Sequence, residues 1–408
     1  MASQPAVSRG PIRRGDYIPW SQKLILGAQH TFTMFGATVL VPLLTGLNIT
    51  VALFTAGICT LLFHYLTKKK VPIFMGSSFA FIAPIILVGK EFGGLQYAQG
   101  GVIVAGICFM ILAGIIKIGG PELIHRLFPP VVTGPIIMVI GLNLAPVAVQ
   151  MASKNWLIAM VVLAVAAATT TFAKGFLKLV PVITGLVAGY LLSIAMGLID
   201  FTKVVATPWL GIPQFTPPLF SLQSILIIAP LALVVMVEHV GDVLAVQATV
   251  EEDFVSDPGI HRTLFADGAC VLVAGMIGGP PGTTYSENTG VLALTKVWEP
   301  QIMRIAAVFA IIMAFIQKIG AVLQTIPEAV MGGVTILLFG MIASIGVRTV
   351  VENKVDFTRS RNLIIASIIL VLGIGGAVFQ ITPNFKLAGM SLAALIGLVV
   401  NQILPKDI

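Results

Sequence analysis

Charged residues are scarce in this sequence. Asp, Glu, Lys and Arg make up 10% of its 408 residues, and hydrophobic residues make up 57%. Soluble globular domains carry about 25% charged residues. The composition therefore excludes a soluble globular protein and predicts an all-α polytopic membrane protein.

Cysteine is also rare, and the motifs of common enzymes are missing. Cys59, Cys108 and Cys270 stand singly in apolar runs, without the spacing of metal ligands, and we interpret them as packing residues. No Gly-rich phosphate loop occurs, and the stretch 238–242 lacks the second His of a zinc protease helix. We expect no cofactor, no metal and no enzyme activity.

We also expect no cleavable signal peptide. Residues 1–22 are polar, contain Arg9, Arg13 and Arg14, and lack a cleavage site followed by soluble sequence. We expect residues 1–23 to form a cytoplasmic N-terminal tail.

What the sequence has in abundance is apolar runs, several of them near the 20 residues or so that a membrane helix needs. There are fourteen: 24–45, 50–66, 72–88, 98–117, 131–150, 156–173, 179–199, 224–247, 262–279, 283–295, 301–322, 327–346, 361–380 and 386–404. The third and the tenth are too broken to span as ordinary helices, so their backbone must face protein or a cavity instead of lipid.

The distribution of Lys and Arg supports this number of spans. If both termini are cytoplasmic, all but five of the 24 basic residues, Arg126 and Lys406 among them, lie on the cytoplasmic side, as membrane topology requires. The exceptions are Lys90, Lys154, Lys203, Lys318 and Lys386. The net charge of +7 follows from this bias, and we expect a lipid bilayer and no nucleic acid as partner.

Similar motifs recur at offsets of 209, 206 and 198 residues. Gln29-His30 corresponds to Glu238-His239, 76–79 (Gly-Ser-Ser-Phe) to 282–285 (Gly-Thr-Thr-Tyr), and the start of the fifth span at Phe128 to that of the twelfth at Ile326. Because each half has seven spans, the second half enters from the opposite side of the membrane. We predict a 7+7 inverted repeat: 24–199, an extracellular loop 200–223, and 224–408.

The paired interruptions are the strongest sequence signal for a transporter's binding site. Each has a tight turn followed by Ser, Thr and aromatic residues, which favour extended backbone. We predict two short strands, paired antiparallel, each leading into a half-helix whose free N–H groups face a polar ligand.

Acidic residues inside spans cost about 2.5–3.5 kcal/mol each on insertion scales, so each is a functional candidate. Glu238 and Asp242 share one face of the eighth span, and Glu287 follows the tenth-segment strand. The Lys and Arg residues of these runs lie near the run ends, so no intramembrane cation neutralises the carboxylates, and we expect at least one carboxylate to hold a proton near neutral pH. Asp267 lies early in the ninth span, and His30 is either a coupling residue or a structural partner.

The stretch 287–296 (Glu-Asn-Thr-Gly-Val-Leu-Ala-Leu-Thr-Lys) resembles the signature of the nucleobase/ascorbate transporters, and the motifs around Gln29, Gly76, Glu238 and Gly282 match too. A Glu at position 287 is similar to the bacterial uracil permeases of that family, whereas its purine carriers usually have Gln. In the uracil pattern, His stands at the position of Asp242 and Gly at that of Ser286.

The resemblance implies proton symport by a core of spans 1–4 and 8–11 against a gate of spans 5–7 and 12–14, and often a homodimer through the gates. By motif position, Glu238 and Glu287 hold uracil, the backbone at Phe79 and Ser286 contributes hydrogen bonds, and Tyr285 lines the pocket. Asp242, Glu238 and His30 are the proton-coupling candidates.

We therefore expect a proton-coupled uracil importer of the cytoplasmic membrane. A xanthine or urate symporter of the same family is the alternative, favoured by Asp242 and opposed by Glu287. A sulfate-carrier-like anion exchanger would be expected to avoid carboxylates facing its substrate. A channel or a membrane enzyme remains as a different class, and accumulation against a gradient would exclude a channel.

Overall fold

The computed structural model describes residues 10–120, 123, 129–382 and 385–405, which are predominantly helical. The first half contains α1 (Trp20–Thr45), α2 (Ile49–Leu66), β1 (Met75–Ser77), a 3₁₀ turn (Phe79–Phe81), α3 (Ile82–Phe92), α4 (Leu95–Gly119), α5 (Pro130–Asn143), α6 (Ala145–Ala152), α7 (Trp156–Phe172), a 3₁₀ turn (Gly175–Leu179) and α8 (Pro181–Ala195). Arg9, Arg126, Phe128 and Lys406 lie outside the described residues, as do residues 1–9 of the predicted tail.

The second half follows a linker that contains the short helix α9 (Thr202–Ala206). It consists of α10 (Leu222–Ile228), α11 (Leu231–Val250), a π turn (Val255–Gly259), α12 (Ile260–Ile277), β2 (Gly282–Thr284), α13 (Ser286–Thr295), α14 (Gln301–Phe315), α15 (Gln317–Gln324), α16 (Glu328–Glu352), α17 (Ser360–Ile374), β3 (Val378–Thr382), β4 (Phe385–Ala388) and α18 (Gly389–Ile403).

The predicted spans correspond to these elements. By length and composition, seven helical stretches in the described part of the chain could cross a membrane, and five shorter apolar helices accompany them. With the two interrupted segments they account for the fourteen apolar runs. β1 and β2 lie in the third and tenth segments and pair antiparallel, which confirms the predicted strands.

Three runs are broken in ways that the hydrophobic pattern did not reveal. The fifth splits into α5 and α6 at Leu144, just before Pro146 near the start of α6, and the eighth into α10 and α11 before Leu231, next to Pro230. Proline removes a backbone donor, so it favours a new helix start over a continuous helix. The eleventh run breaks at Ile316, whose backbone (φ −87°, ψ 88°) is not helical.

A second strand pair, β3 with β4, occupies the end of the thirteenth run and the start of the fourteenth, where helices were expected. Helix α17 ends at Gly375, and Gly376 has a positive φ of 62°. The residues that follow, Val378 and Phe379, have high β propensity. An apolar stretch this short is compatible with a strand as well as with a continuous apolar helix. The helix predicted here from the hydrophobic pattern was therefore wrong.

The two halves exchange packing partners. Helix α2 packs mainly on α14, and α4 packs mainly on α12. In the repeat, α12 corresponds to α2 and α14 corresponds to α4. The α2–α14 and α4–α12 contacts are therefore equivalent, as expected of an inverted repeat. Small residues allow the close approach: a Cβ on Gly106 of α4 would lie 2.7 Å from the carbonyl oxygen of Gly268 in α12.

Two cysteines make a reciprocal contact between the two halves. The Cys59 thiol donates to the Cys270 carbonyl at 3.3 Å, and the Cys270 thiol donates to the Cys59 carbonyl at 3.1 Å. Both residues are buried, and they occupy corresponding positions of α2 and α12. This reciprocal pair agrees with the interpretation of these cysteines as packing residues.

Candidate functional site

The β1–β2 crossing is the centre of the site. Met75 pairs with Thr284, Gly76 with Thr283, and Ser77 with Gly282. Beyond the strands, the Ser78 N–H donates to the Pro281 carbonyl at 2.9 Å, and the Tyr285 N–H donates to the Phe74 carbonyl at 3.0 Å. These bonds satisfy the backbone of a non-helical stretch within the bundle, as a membrane interior demands.

Glycine is required at this crossing for a steric reason. A Cβ on Gly76 would lie 2.2 Å from the ring of Tyr285, so no side chain fits there. Likewise, a Cβ on Gly279 would lie 2.1 Å from Thr55 Oγ1. The Gly-rich sequence of both interruptions therefore reflects close packing of the crossing against α2 and the Tyr285 ring.

Each strand leads into a half-helix with free N–H groups at its start. The residues that precede these half-helices, Ser78 and Tyr285, make no side-chain capping hydrogen bond. The 3₁₀ turn of the first begins at Phe79, and α13 begins at Ser286. The first-turn N–H groups at Phe79 and Ser286 can therefore donate to acceptor atoms of a ligand.

The carboxylates lie on α11 and at the start of α13. Glu238 and Asp242 are four residues apart on α11, and Glu287 is in the first turn of α13. All three are partly exposed, and Glu238 is close enough to interact electrostatically with both others. Within the described residues, no Lys or Arg forms an ion pair with any of them.

Two hydroxyl groups hold Asp242. Thr284 Oγ1 donates to Asp242 Oδ2 at 2.5 Å, and Ser286 Oγ donates to Asp242 Oδ1 at 2.7 Å. These bonds connect α11 to the end of β2 and the start of α13. The sequence pattern did not predict this role of Thr284 and Ser286. The signal was their spacing of two residues, which puts both side chains on one side of an extended chain.

His30 does not bond to a carboxylate among the described residues. It is buried in α1, and Asn288 Nδ2 donates to its Nδ1 at 3.0 Å and to its carbonyl at 3.1 Å. Because the amide nitrogen can only donate, Nδ1 is the acceptor and the ring proton of a neutral imidazole lies on Nε2. In this arrangement His30 connects α1 to α13, and its predicted coupling role stays a prediction.

The two aromatic candidates differ in accessibility. Tyr285 is only 4% exposed, and its hydroxyl donates to the Ser77 carbonyl at 3.1 Å. Phe79 is partly exposed, and its ring contacts the edge of Phe339 in α16, with centroids 6.3 Å apart. Phe79 therefore lies where the interrupted segment meets the helices around α16.

Behind the carboxylates lies a fully buried pair. His239 Nδ1 is 2.8 Å from Asp267 Oδ2, and both side chains are inaccessible to solvent. The other ring nitrogen of His239 is 3.0 Å from Thr263 Oγ1. Asp267 thus pairs with an imidazole that connects α11 to α12, behind the partly exposed carboxylates.

The comparison with sequence families decides what this fold and site belong to. The Permease family matches residues 21–382 of the chain. The chain belongs to the nucleobase/ascorbate transporter family. It is therefore an integral membrane protein of a family of permeases.

Relatives of this nucleobase/ascorbate transporter match over nearly their whole lengths. It is 45% identical over 390 residues to the probable uracil permease of Haemophilus influenzae, covering 93% of this chain and 94% of the relative. The uracil permease of Bacillus caldolyticus is 45% identical, covering 94% of this chain and 92% of the relative. The uracil permease of Escherichia coli K12 is 41% identical, covering 94% of this chain and 92% of the relative.

Solved structures of other transporters share the fold. The transmembrane domain of the cyanobacterial bicarbonate transporter BicA matches with a TM-score of 0.61 at 16% identity, over 95% of this chain and 99% of that domain. SLC26A9 matches with a TM-score of 0.69 at 11% identity, over 93% of this chain. This chain spans 64% of the SLC26A9 chain.

Proposed function

We propose that this permease is a proton-coupled symporter that imports uracil across the cytoplasmic membrane. One observation carries the proposal: α11, which carries Glu238 and Asp242, contacts both half-helices, whose starts are uncapped, and Glu287 is in the first turn of α13. Uracil offers two ring N–H donors and two carbonyl acceptors. The site offers the complementary set, with carboxylate acceptors and backbone N–H donors. The uracil permeases among its relatives support the same substrate.

In this mechanism Glu238 and Glu287 accept hydrogen bonds from the ring N–H groups. The backbone N–H groups at Phe79 and Ser286 donate to the uracil oxygens, and Tyr285 forms a wall of the pocket. Asp242 takes up and releases the coupled proton, with Glu238 and His30 as the other candidates. The support for Asp242 is its position on the face of α11 that also carries Glu238.

Transport then occurs by movement of a core (spans 1–4 and 8–11) against a gate (spans 5–7 and 12–14). Helix packing supports this division, because the close pairs α2–α14 and α4–α12 fall in one group, and α5–α16, α7–α8 and α17–α18 in the other. The charge bias supports cytoplasmic termini. We further propose a homodimer formed through the gates, as the family resemblance implies.

Uptake of labelled uracil into proteoliposomes, with and without an inward proton gradient, tests this function. We expect accumulation above the external concentration only with the gradient, and inhibition by unlabelled uracil but much less by xanthine. Uptake that is equal without a gradient would contradict proton coupling. Stronger inhibition by xanthine than by uracil would favour the purine alternative, which Asp242 suggests.

A further inference from the structure

The chain ahead of α1 lies across the ends of the two helices that carry the carboxylates. We name residues 10–18 the N-terminal strap. The Ile12 N–H donates to the Lys296 carbonyl at 2.9 Å, and the Trp298 N–H donates to the Ile12 carbonyl at 2.8 Å. The Gly15 N–H donates to Glu299 Oε2 at 2.8 Å. The strap is therefore hydrogen-bonded to the segment that directly follows α13.

Apolar contacts anchor the same segment. Ile18 is only 3% exposed and forms a small cluster with Leu26, Val297 and Ile302, against which Ile12 packs. Buried isoleucine side chains fix a chain more firmly than surface polar contacts do. The strap is thus docked on the protein at several points and does not simply extend from α1.

Arg13 links this segment to the other helix of the site. Its Nη2 lies 2.9 Å from Glu251 Oε2, and its guanidinium is 5.2 Å above the Trp298 ring. Glu251 is the left-handed residue that ends α11, with φ of 56°. Trp298 Nε1 donates to the Leu292 carbonyl in the last turn of α13 at 3.3 Å. Arg13 therefore contacts the residue at the end of α11 and the tryptophan whose indole bonds to the last turn of α13.

The contact of Arg13 lies at a similar distance from the carboxylates on both helices. Asp242 is nine residues before Glu251, and Glu287 is nine residues before Lys296. At 1.5 Å per residue, both carboxylates lie about 14 Å from the strap along their helices. Asp242 joins the middle of α11 to the end of β2 and the start of α13 through Thr284 and Ser286, and the strap joins the far ends of the two helices.

Helix α13 depends on such support because it has only ten residues, fewer than the 12–15 or so at which isolated helices become even marginally stable. The corresponding half-helix α3 ends at Phe92 and, among the described residues, makes no backbone hydrogen bond with the strap. The strap thus supports one half-helix and not the other.

We propose that Ile12 and Arg13 are positioning residues for substrate binding: the strap holds the far end of α13, and this fixes the direction of Glu287 at its near end. The inference rests on the proposed function, because Glu287 is assigned there to the substrate. It requires that loosening the strap changes both the stability of α13 and the affinity for uracil.

Hydrogen–deuterium exchange of purified protein in nanodiscs tests the first requirement without any ligand. Ile12→Pro removes the N–H that donates to Lys296. We expect the amides of α13 to exchange several-fold faster, while those of α3 keep the wild-type rate. Gly10→Pro is the matched control, because it stiffens the same segment beside Pro11 and removes no hydrogen bond that the structure records. Unchanged exchange in α13 of Ile12→Pro would overturn the proposal.

Equilibrium binding of labelled uracil tests the second requirement. We expect the Kd to rise about fivefold in Ile12→Pro, the effect of one net hydrogen bond. Arg13→Gln should give a smaller rise of roughly twofold, because Arg13 and Glu251 are 46% and 66% exposed and such pairs are weak. Arg14→Gln, an exposed neighbour with the same charge change, should bind as wild type does.

The exchanged pair Arg13→Glu with Glu251→Arg should restore part of the affinity lost in Arg13→Glu alone.

Faster exchange in α13 with unchanged uracil affinity would also overturn the positioning role, since the strap would then be a stabilising contact only. If the wild type bound no uracil, the proposed function would fail, and α13 exchange alone would decide whether the strap holds that helix. Should Ile12→Pro fail to fold, as judged by gel filtration, Arg13→Gln and its charge-exchanged rescue decide the question instead.

Discussion

At the scale of single residues, Glu287 is the strongest substrate-binding candidate. We predict that Glu287→Gln weakens uracil binding by roughly 10- to 100-fold, because a hydrogen bond to a charged group contributes about 1.5–3 kcal/mol. Glu328→Gln is the matched control, since Glu328 is also in the first turn of a helix and is exposed. Binding of labelled uracil to the purified variants is the measurement. A Glu287→Gln protein with wild-type affinity would refute the assigned role.

Asp242 allows binding and coupling to be separated. We predict that Asp242→Asn keeps uracil affinity within about threefold of wild type, since both hydroxyl partners, Thr284 and Ser286, can rotate to donate or accept. The amide cannot release a proton, so proton-driven accumulation in proteoliposomes should be lost. Glu238→Gln should lose both binding and accumulation. Full accumulation by Asp242→Asn would transfer the coupling role to Glu238 or His30.

The sequence predicted the carboxylates at this scale but not their partners. Glu238, Asp242 and Glu287 could be found because charge inside an apolar run is costly and therefore conspicuous. The bond between Asn288 and His30 joins residues 258 positions apart, and no local pattern encodes it. Nor could the sequence tell that Asp267 is paired with His239, since the pairing depends on how α11 and α12 are rotated.

At the scale of elements, β1 and β2 are related by the repeat but not equivalent in packing. We predict that Gly76→Ala destabilises the protein by roughly 1–3 kcal/mol, the usual cost of overpacking, because its Cβ would lie 2.2 Å from the Tyr285 ring. Gly282→Ala is the control at the corresponding position: its nearest new contact, the Gly76 carbonyl oxygen, is 3.7 Å away. Thermal unfolding in detergent measures both. Equal loss in the two variants would contradict this account.

Helices and strands were predicted correctly where the apolar run was long or its composition was distinctive. Long runs such as that of α4 could only be helices, and the Ser, Thr and aromatic content of β1 and β2 set them apart from their surroundings. The β3–β4 pair was missed because its first strand continues the apolar run of α17 with no polar break. Tertiary contacts, here with α10 and α18, decide the conformation of such short apolar stretches.

For the whole molecule, the proposed orientation is testable by labelling. We predict that a cysteine at Gln214, in the exposed linker between the halves, reacts with an impermeant thiol reagent added to intact cells. A cysteine at Asp253, between α11 and α12, should react only after the membrane is permeabilised. Native Cys59 and Cys270 are buried, so Cys108 is the background site to replace first. Reversed accessibility would overturn the span assignment.

Because helices of the first half pack on helices of the second half, the first half cannot complete its packing until the second half has been synthesised. At about 5–20 residues per second, α14 leaves the ribosome roughly 10–50 s after α2, its main partner. During that delay β1 has no β2, and its N–H and C=O groups cannot face lipid. The newly inserted first half must therefore keep this segment in water, against its own helices or against the insertion machinery until the second half is made.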